Sequence, residues 1–211
     1  MAWHTLLLFA LASLSLNLIP GPDVIYIVST TLKGQWRDGC HAALGLGTGY
    51  LVHTLAAVCG LSALVLGSAT LFAGVRYLGA CWLVWLAISS LRQAWRGGPG
   101  ASLTSQVAAS AHVYRQGVLV SVLNPKVALF FLAFLPQFVT VSAGQVSSQL
   151  LLLGVVFSLL ATVVNLLYAA LGGWLFSRPQ AARWQRGLHG VSGLLLLGLA
   201  GRIALVSRSA S

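Results

Sequence analysis

Residues 5–31 read TLLLFALASLSLNLIPGPDVIYIVSTT, and the reading of this stretch decides the fold. Its length exceeds the roughly 20 apolar residues that cross the hydrocarbon of a bilayer. No Lys or Arg precedes the run, and it continues past Asp23 to Thr31, so it reads as a first membrane helix rather than a secretion leader. Within it, Pro20 and Pro22 flank Gly21. Two prolines remove two backbone donors, so the helix is expected to break or kink near mid-membrane. Irregular backbone at that depth is tolerated only where it packs inside protein or lines a water-filled cavity.

The rest of the chain agrees with a bilayer as solvent. Of 211 residues, 58% are hydrophobic and only 7% charged, and the mean hydropathy is +0.89. Soluble domains carry about 25% charged residues. The formal charge of +10 comes from single basic residues and small groups between apolar runs. It forms no basic stripe interleaved with aromatics, which argues against nucleic-acid binding. Cys40, Cys59 and Cys81 lack metal-ligand or redox spacing and read as small residues within or beside apolar segments.

Six segments are long enough to span: 5–31, 41–66, 71–93, 114–139, 149–176 and 187–206. The expected architecture is all-α and integral to the membrane. Residues 1–93 and 114–211 form two three-helix halves, joined by a polar linker at 94–113 that is rich in Gly, Ala and Ser. The loops after helices one, three and five hold Lys33, Arg37, Arg92, Arg96, Arg115, Arg178, Arg183 and Arg186, whereas the opposite side has Arg76, Arg202 and Arg208. Positive loops stay in the cytoplasm, so both termini are expected outside, in the periplasm if this is a bacterial inner membrane.

An odd number of helices per half makes any duplication an inverted repeat, the plan of many secondary transporters. Pro22-Asp23-Val24 matches Pro125-Lys126-Val127 at an offset of 103, and Arg76, Leu78 and Arg92 match Arg186, Leu188 and Arg202 at an offset of 110. Helix four repeats the break at Asn124-Pro125-Lys126, with Pro136 further along. Asp23 and Lys126 are the charged residues nearest the centre of any span, where an ionisable group costs about 3 kcal/mol on insertion scales. Two readings stay open. Asp23 and Lys126 face one cavity, Asp23 holding a substrate ammonium or a coupling proton and Lys126 a carboxylate; or they form a structural ion pair, or Lys126 snorkels to the interface.

Gly45, Gly49, His53 and Ala57 recur every four residues along one face of helix two, a seam for close helix packing within one bundle or in a homo-oligomer. His53 is a candidate proton relay or a hydrogen-bonded packing residue. His41 lies roughly 120° around the helix from His53, too far for a shared metal site. Asn165 and Tyr168 are candidate cavity groups in helix five. Asp23 and Asp38 are the only acids, and no HExxH, GxSxG or phosphate-binding loop occurs, so an enzyme, a resident metal and a cofactor are not expected.

Taken together, Asn17 through Asp23, Gly45-x-x-x-Gly49 with Val52-His53, Arg115-Gln116-Gly117 before Leu123-Asn124-Pro125-Lys126, and the following Phe130 to Phe138 resemble the LysE/RhtB family of bacterial amino-acid exporters over nearly the whole chain. The resemblance implies efflux of amino acids or derivatives, with proton antiport, in a bundle of two three-helix repeats. Tyr50 stands where relatives often have an acidic or other polar residue, and Ser121-Val122 where they have an asparagine. The expected pathway residues are Asn17, Pro20, Gly21, Pro22, Asp23, His53, Asn124, Pro125 and Lys126. Its partners are an amino-acid substrate, protons and lipid. A passive pore and a non-transporting assembly subunit are the rival readings.

Overall fold

Proline positions dictate where the helices stop. The computed structural model describes residues 3–33, 36–67 and 110–176, with separate positions between 74 and 95 and between 183 and 198. Helix α1 (Trp3–Leu18) ends just before Pro20, and α2 (Pro22–Lys33) starts on Pro22, whose missing N–H would be unpaired there in any case. The two segments meet at 54°. Later, α4 (Ser110–Val122) ends before Pro125, and α5 (Pro125–Leu129) starts on that proline. The bend between α4 and the Pro125–Phe138 segment is 46°. Both predicted breaks are therefore present, each with proline as the first residue of the outgoing helix.

Downstream of α5 the backbone loosens further. Phe130–Phe134 is a π-helical turn in which the Leu135 N–H reaches Phe130 O, followed by a 3₁₀ turn at Leu135–Phe138. Pro136 supplies the cause: it has no N–H for the carbonyl four residues back, and its ring crowds that carbonyl. A short loop with a second 3₁₀ turn (Val141–Ala143) leads to α6 (Val146–Phe176). Gln149 in the first turn of α6 closes this loop, accepting from Thr140 N at 3.0 Å and donating to Thr140 O at 3.0 Å and Gly144 O at 2.7 Å.

Among the described residues every element is helical. Among the described residues two helices, Trp36–Leu61 within α3 (Trp36–Gly67) and Val146–Gly172 within α6, are long and apolar enough to cross a bilayer, and the number rises to four if each bent pair is one span. More than half of the predicted span 71–93 and half of 187–206 lie outside the described residues, as do most of the linker and the repeat matches at Arg76, Leu78 and Arg202. Those positions of the two spans that are described are helical, and α4 opens at Ser110, inside the predicted linker.

Helix α3 is the centre of the packing, lying along both α4 and α6. The small-residue seam is what allows this. A Cβ on Gly45 would strike the Tyr114 carbonyl and lie 3.2 Å from Gly117 Cα, and one on Gly49 would strike Ser121. The seam predicted at Gly45 and Gly49 is thus covered by α4 of the same chain. Against α6 the contacts are Gly47 with Thr162 and Thr54 with Gly154. At the level of α5, Phe9, Phe130, Phe134, Phe138 and Phe157 form an aromatic cluster, with Phe130 stacked on Phe157 at 4.6 Å between centroids. Leu55, Leu119, Leu159 and Leu167 face outward, as side chains solvated by lipid do.

Candidate functional site

The two breaks meet. Asp23, second residue of α2, is 4% exposed, and Asn124, the residue before α5, is 2% exposed. Asn124 Nδ2 donates to Asp23 Oδ1. Its own Oδ1 accepts from the Lys126 backbone N–H at 3.0 Å, so one side chain caps α5 and binds the carboxylate of α2. The second carboxylate oxygen, Asp23 Oδ2, accepts from the Tyr50 hydroxyl of α3 at 2.9 Å. Tyr50 Oη in turn accepts from Asn165 Nδ2 of α6 at 2.9 Å. With Tyr50 at 0% and Asn165 at 2% exposure, this is a closed polar chain across four elements. Such burial is affordable because each group has its partner.

Lys126 belongs to the same region but takes a different partner. Its Nζ donates to Ile19 O at 2.9 Å, a carbonyl in the break between α1 and α2. The aliphatic stem lies over Gly21, where a Cβ would sit 3.5 Å from both Cδ and Nζ. One residue earlier, Leu18 O accepts from the Tyr168 hydroxyl at 3.2 Å. Side chains of α5 and α6 therefore satisfy carbonyls that the Pro20-Gly21-Pro22 break releases from helical bonding. The ammonium sits on a backbone carbonyl rather than on Asp23.

Other predicted residues lie near this chain without joining it. Asn17 bonds back to Ser13 O at 2.7 Å within its own helix. His53, half-buried one turn beyond Tyr50, has Nε2 3.1 Å from Ser121 O and stacks on Phe131 at 5.6 Å. Asn165 and Tyr168, candidate cavity groups in the sequence, bond instead to Tyr50 Oη and Leu18 O within the packed interior. Tyr50 is the residue that sequence reasoning passed over as a participant; its only signal was that it occupies a position where related exporters carry polar groups. The described residues include no group of three or more His, Cys, Asp or Glu able to hold a metal ion.

A buried carboxylate thus joins the two helix breaks, with an ammonium on an unwound carbonyl nearby. The model of the LysE type translocator family matches residues 14–207. This chain belongs to the LysE type translocator family. The translocator is accordingly a multi-pass membrane protein. It is 30% identical to the leucine efflux protein of Enterobacter sp. (strain 638), over 89% of each chain. To the homoserine/homoserine lactone efflux protein of Salmonella typhimurium it is 28% identical, over 96% of each. It is also 28% identical to the uncharacterized membrane protein YrhP of Bacillus subtilis, over 92% of this chain and 96% of that one. No solved structure matches it.

Proposed function

We propose that this translocator exports amino acids or their derivatives from the cytoplasm of a bacterial cell by alternating access, coupled to inward movement of protons. The observation that carries the reading is the bond from Asn124 to Asp23, which ties the break of one half to the break of the other. Motion between the halves must remake it. Asp23 changes its proton or its partner during the cycle and holds the substrate ammonium, while Lys126 exchanges the Ile19 carbonyl for the substrate carboxylate. The inverted-repeat plan is supported by the correspondence of the two sites: Pro22 and Pro125 each open a helix, and Asp23 and Lys126 each follow as the second residue. The efflux activities named for the Enterobacter and Salmonella relatives support amino acids as the substrate class.

The test is efflux from proteoliposomes preloaded with a panel of labelled amino acids, with and without an imposed proton gradient. Gradient-dependent export of one class is expected. Asp23→Asn should abolish it while the amount of protein in the membrane stays unchanged, because the amide keeps the size of the side chain and loses its charge. Equal export by that variant would remove Asp23 from the mechanism, and flux that only follows the solute's own gradient would make the protein a pore.

A further inference from the structure

The chain contains two acids, Asp23 and Asp38, and only one of them belongs to the site. Asp38 stands in the first turn of α3, twelve residues before Tyr50. At a helical rise of 1.5 Å per residue that places it about 18 Å along the axis from Tyr50, out of reach of a solute gripped by Asp23. Asp23 is therefore the one carboxylate that this chain offers a solute bound between the breaks. Both of its oxygens accept from uncharged donors, Oδ1 from Asn124 and Oδ2 from Tyr50, and Tyr50 is in turn held by the uncharged Asn165. Lys126 adds a single positive charge, resting on the Ile19 carbonyl.

One carboxylate and one ammonium balance a zwitterion and nothing more. With the α-ammonium of a solute on Asp23 and its carboxylate on Lys126, every charge has an opposite partner. A second positive charge, on the solute's side chain, would have none. The carbonyls of Leu18 and Ile19 can accept a hydrogen bond from it but cannot neutralise it. The surroundings of Tyr50 raise the cost further, because they are apolar: Phe157 meets the Tyr50 ring edge-on at 5.5 Å between centroids, and Phe130 stacks on Phe157. Resting on the exporter reading above, we propose that the exported amino acids are those with uncharged side chains, and that Tyr50 and Asn165 are specificity-determining by their neutrality. Dibasic amino acids such as lysine and ornithine are excluded for want of a second carboxylate.

L-norleucine and L-lysine share one carbon skeleton and differ in the terminal ammonium, so they test this directly. Purified protein in liposomes is preloaded with either solute, or with L-leucine or L-homoserine, and export is measured under an imposed proton gradient with the membrane potential clamped at zero. The best neutral solute should have a kcat/KM at least about a hundredfold above that of lysine, the penalty of burying an unpaired charge. Excess lysine inside the vesicles should not slow its export. Asn165→Asp, nearly the same shape, adds a carboxylate beside Tyr50 and should raise lysine relative to norleucine by about tenfold or more. Lysine exported within about tenfold of the best neutral solute would overturn the proposed class and leave the exporter standing. An Asn165→Asp protein that exports norleucine with an unchanged ratio would overturn the role given to the neutral side chains. The wild-type comparison needs no variant and decides the substrate class by itself. Export of no amino acid of any charge would overturn the exporter reading and this inference with it.

Discussion

Tyr50 shows how much one hydroxyl can carry. It donates to Asp23 Oδ2 and accepts from Asn165 Nδ2, both at 2.9 Å and all within the interior. Tyr50→Phe would leave a buried acceptor and a buried donor each short of a partner, and should cost about 1–3 kcal/mol of stability. Ser13 is the matched control. Its Oγ is buried with no partner, so Ser13→Ala removes an unsatisfied group and should be neutral or stabilising. Thermal denaturation in detergent of the two variants beside wild type checks the pair; a Tyr50→Phe protein as stable as Ser13→Ala would show that the hydroxyl chain contributes nothing. None of these pairings was legible from the residues alone. Asp23 and Lys126 stood out because charge is rare in a span, and Asn165 as a polar group in one, but Tyr50 looks like an ordinary residue until four elements bring these side chains together.

At the scale of the element, breaks and seams follow from local chemistry. Proline lacks an N–H wherever it falls, so the ends of α1 and α4 were readable in advance, whereas the π-helical turn before Pro136 emerged only in the structure. Glycine spacing likewise marks a close helix contact, although which partner fills it is a tertiary matter; here α4 does. Gly45→Val should destabilise the bundle by about 1–3 kcal/mol or more, since the atoms it would meet are backbone of Tyr114 and Gly117 and cannot swing aside. In the same helix, Gly60 has nothing within 4 Å of its Cβ position. Gly60→Ala should be tolerated or stabilise by up to ~1 kcal/mol through helix propensity. Denaturation midpoints of the two variants provide the check, and similar midpoints would mean the α3–α4 seam yields easily.

On the scale of the whole molecule, the asymmetry of Lys and Arg predicts that loops after helices one, three and five lie in the cytoplasm and both termini outside. Fusing a reporter active only outside the cytoplasm to the carboxy terminus should give signal, and fusing it after Arg96 should give none; the reverse pattern would invert the direction assigned to export. The amino-acid sequence by itself determined the solvent, the positions of the two breaks and the family, because hydropathy, proline geometry and short motifs are local properties that survive in any packing. Only the tertiary structure decided that Asn124 reaches Asp23, that Lys126 rests on Ile19 O rather than on a carboxylate, and that Tyr50 and Asn165 join in the same interior. Those outcomes depend on how helices rotate and cross, and in a chain so uniformly apolar many rotations bury the same amount of hydrocarbon; the polar partners each rotation offers are what distinguish them.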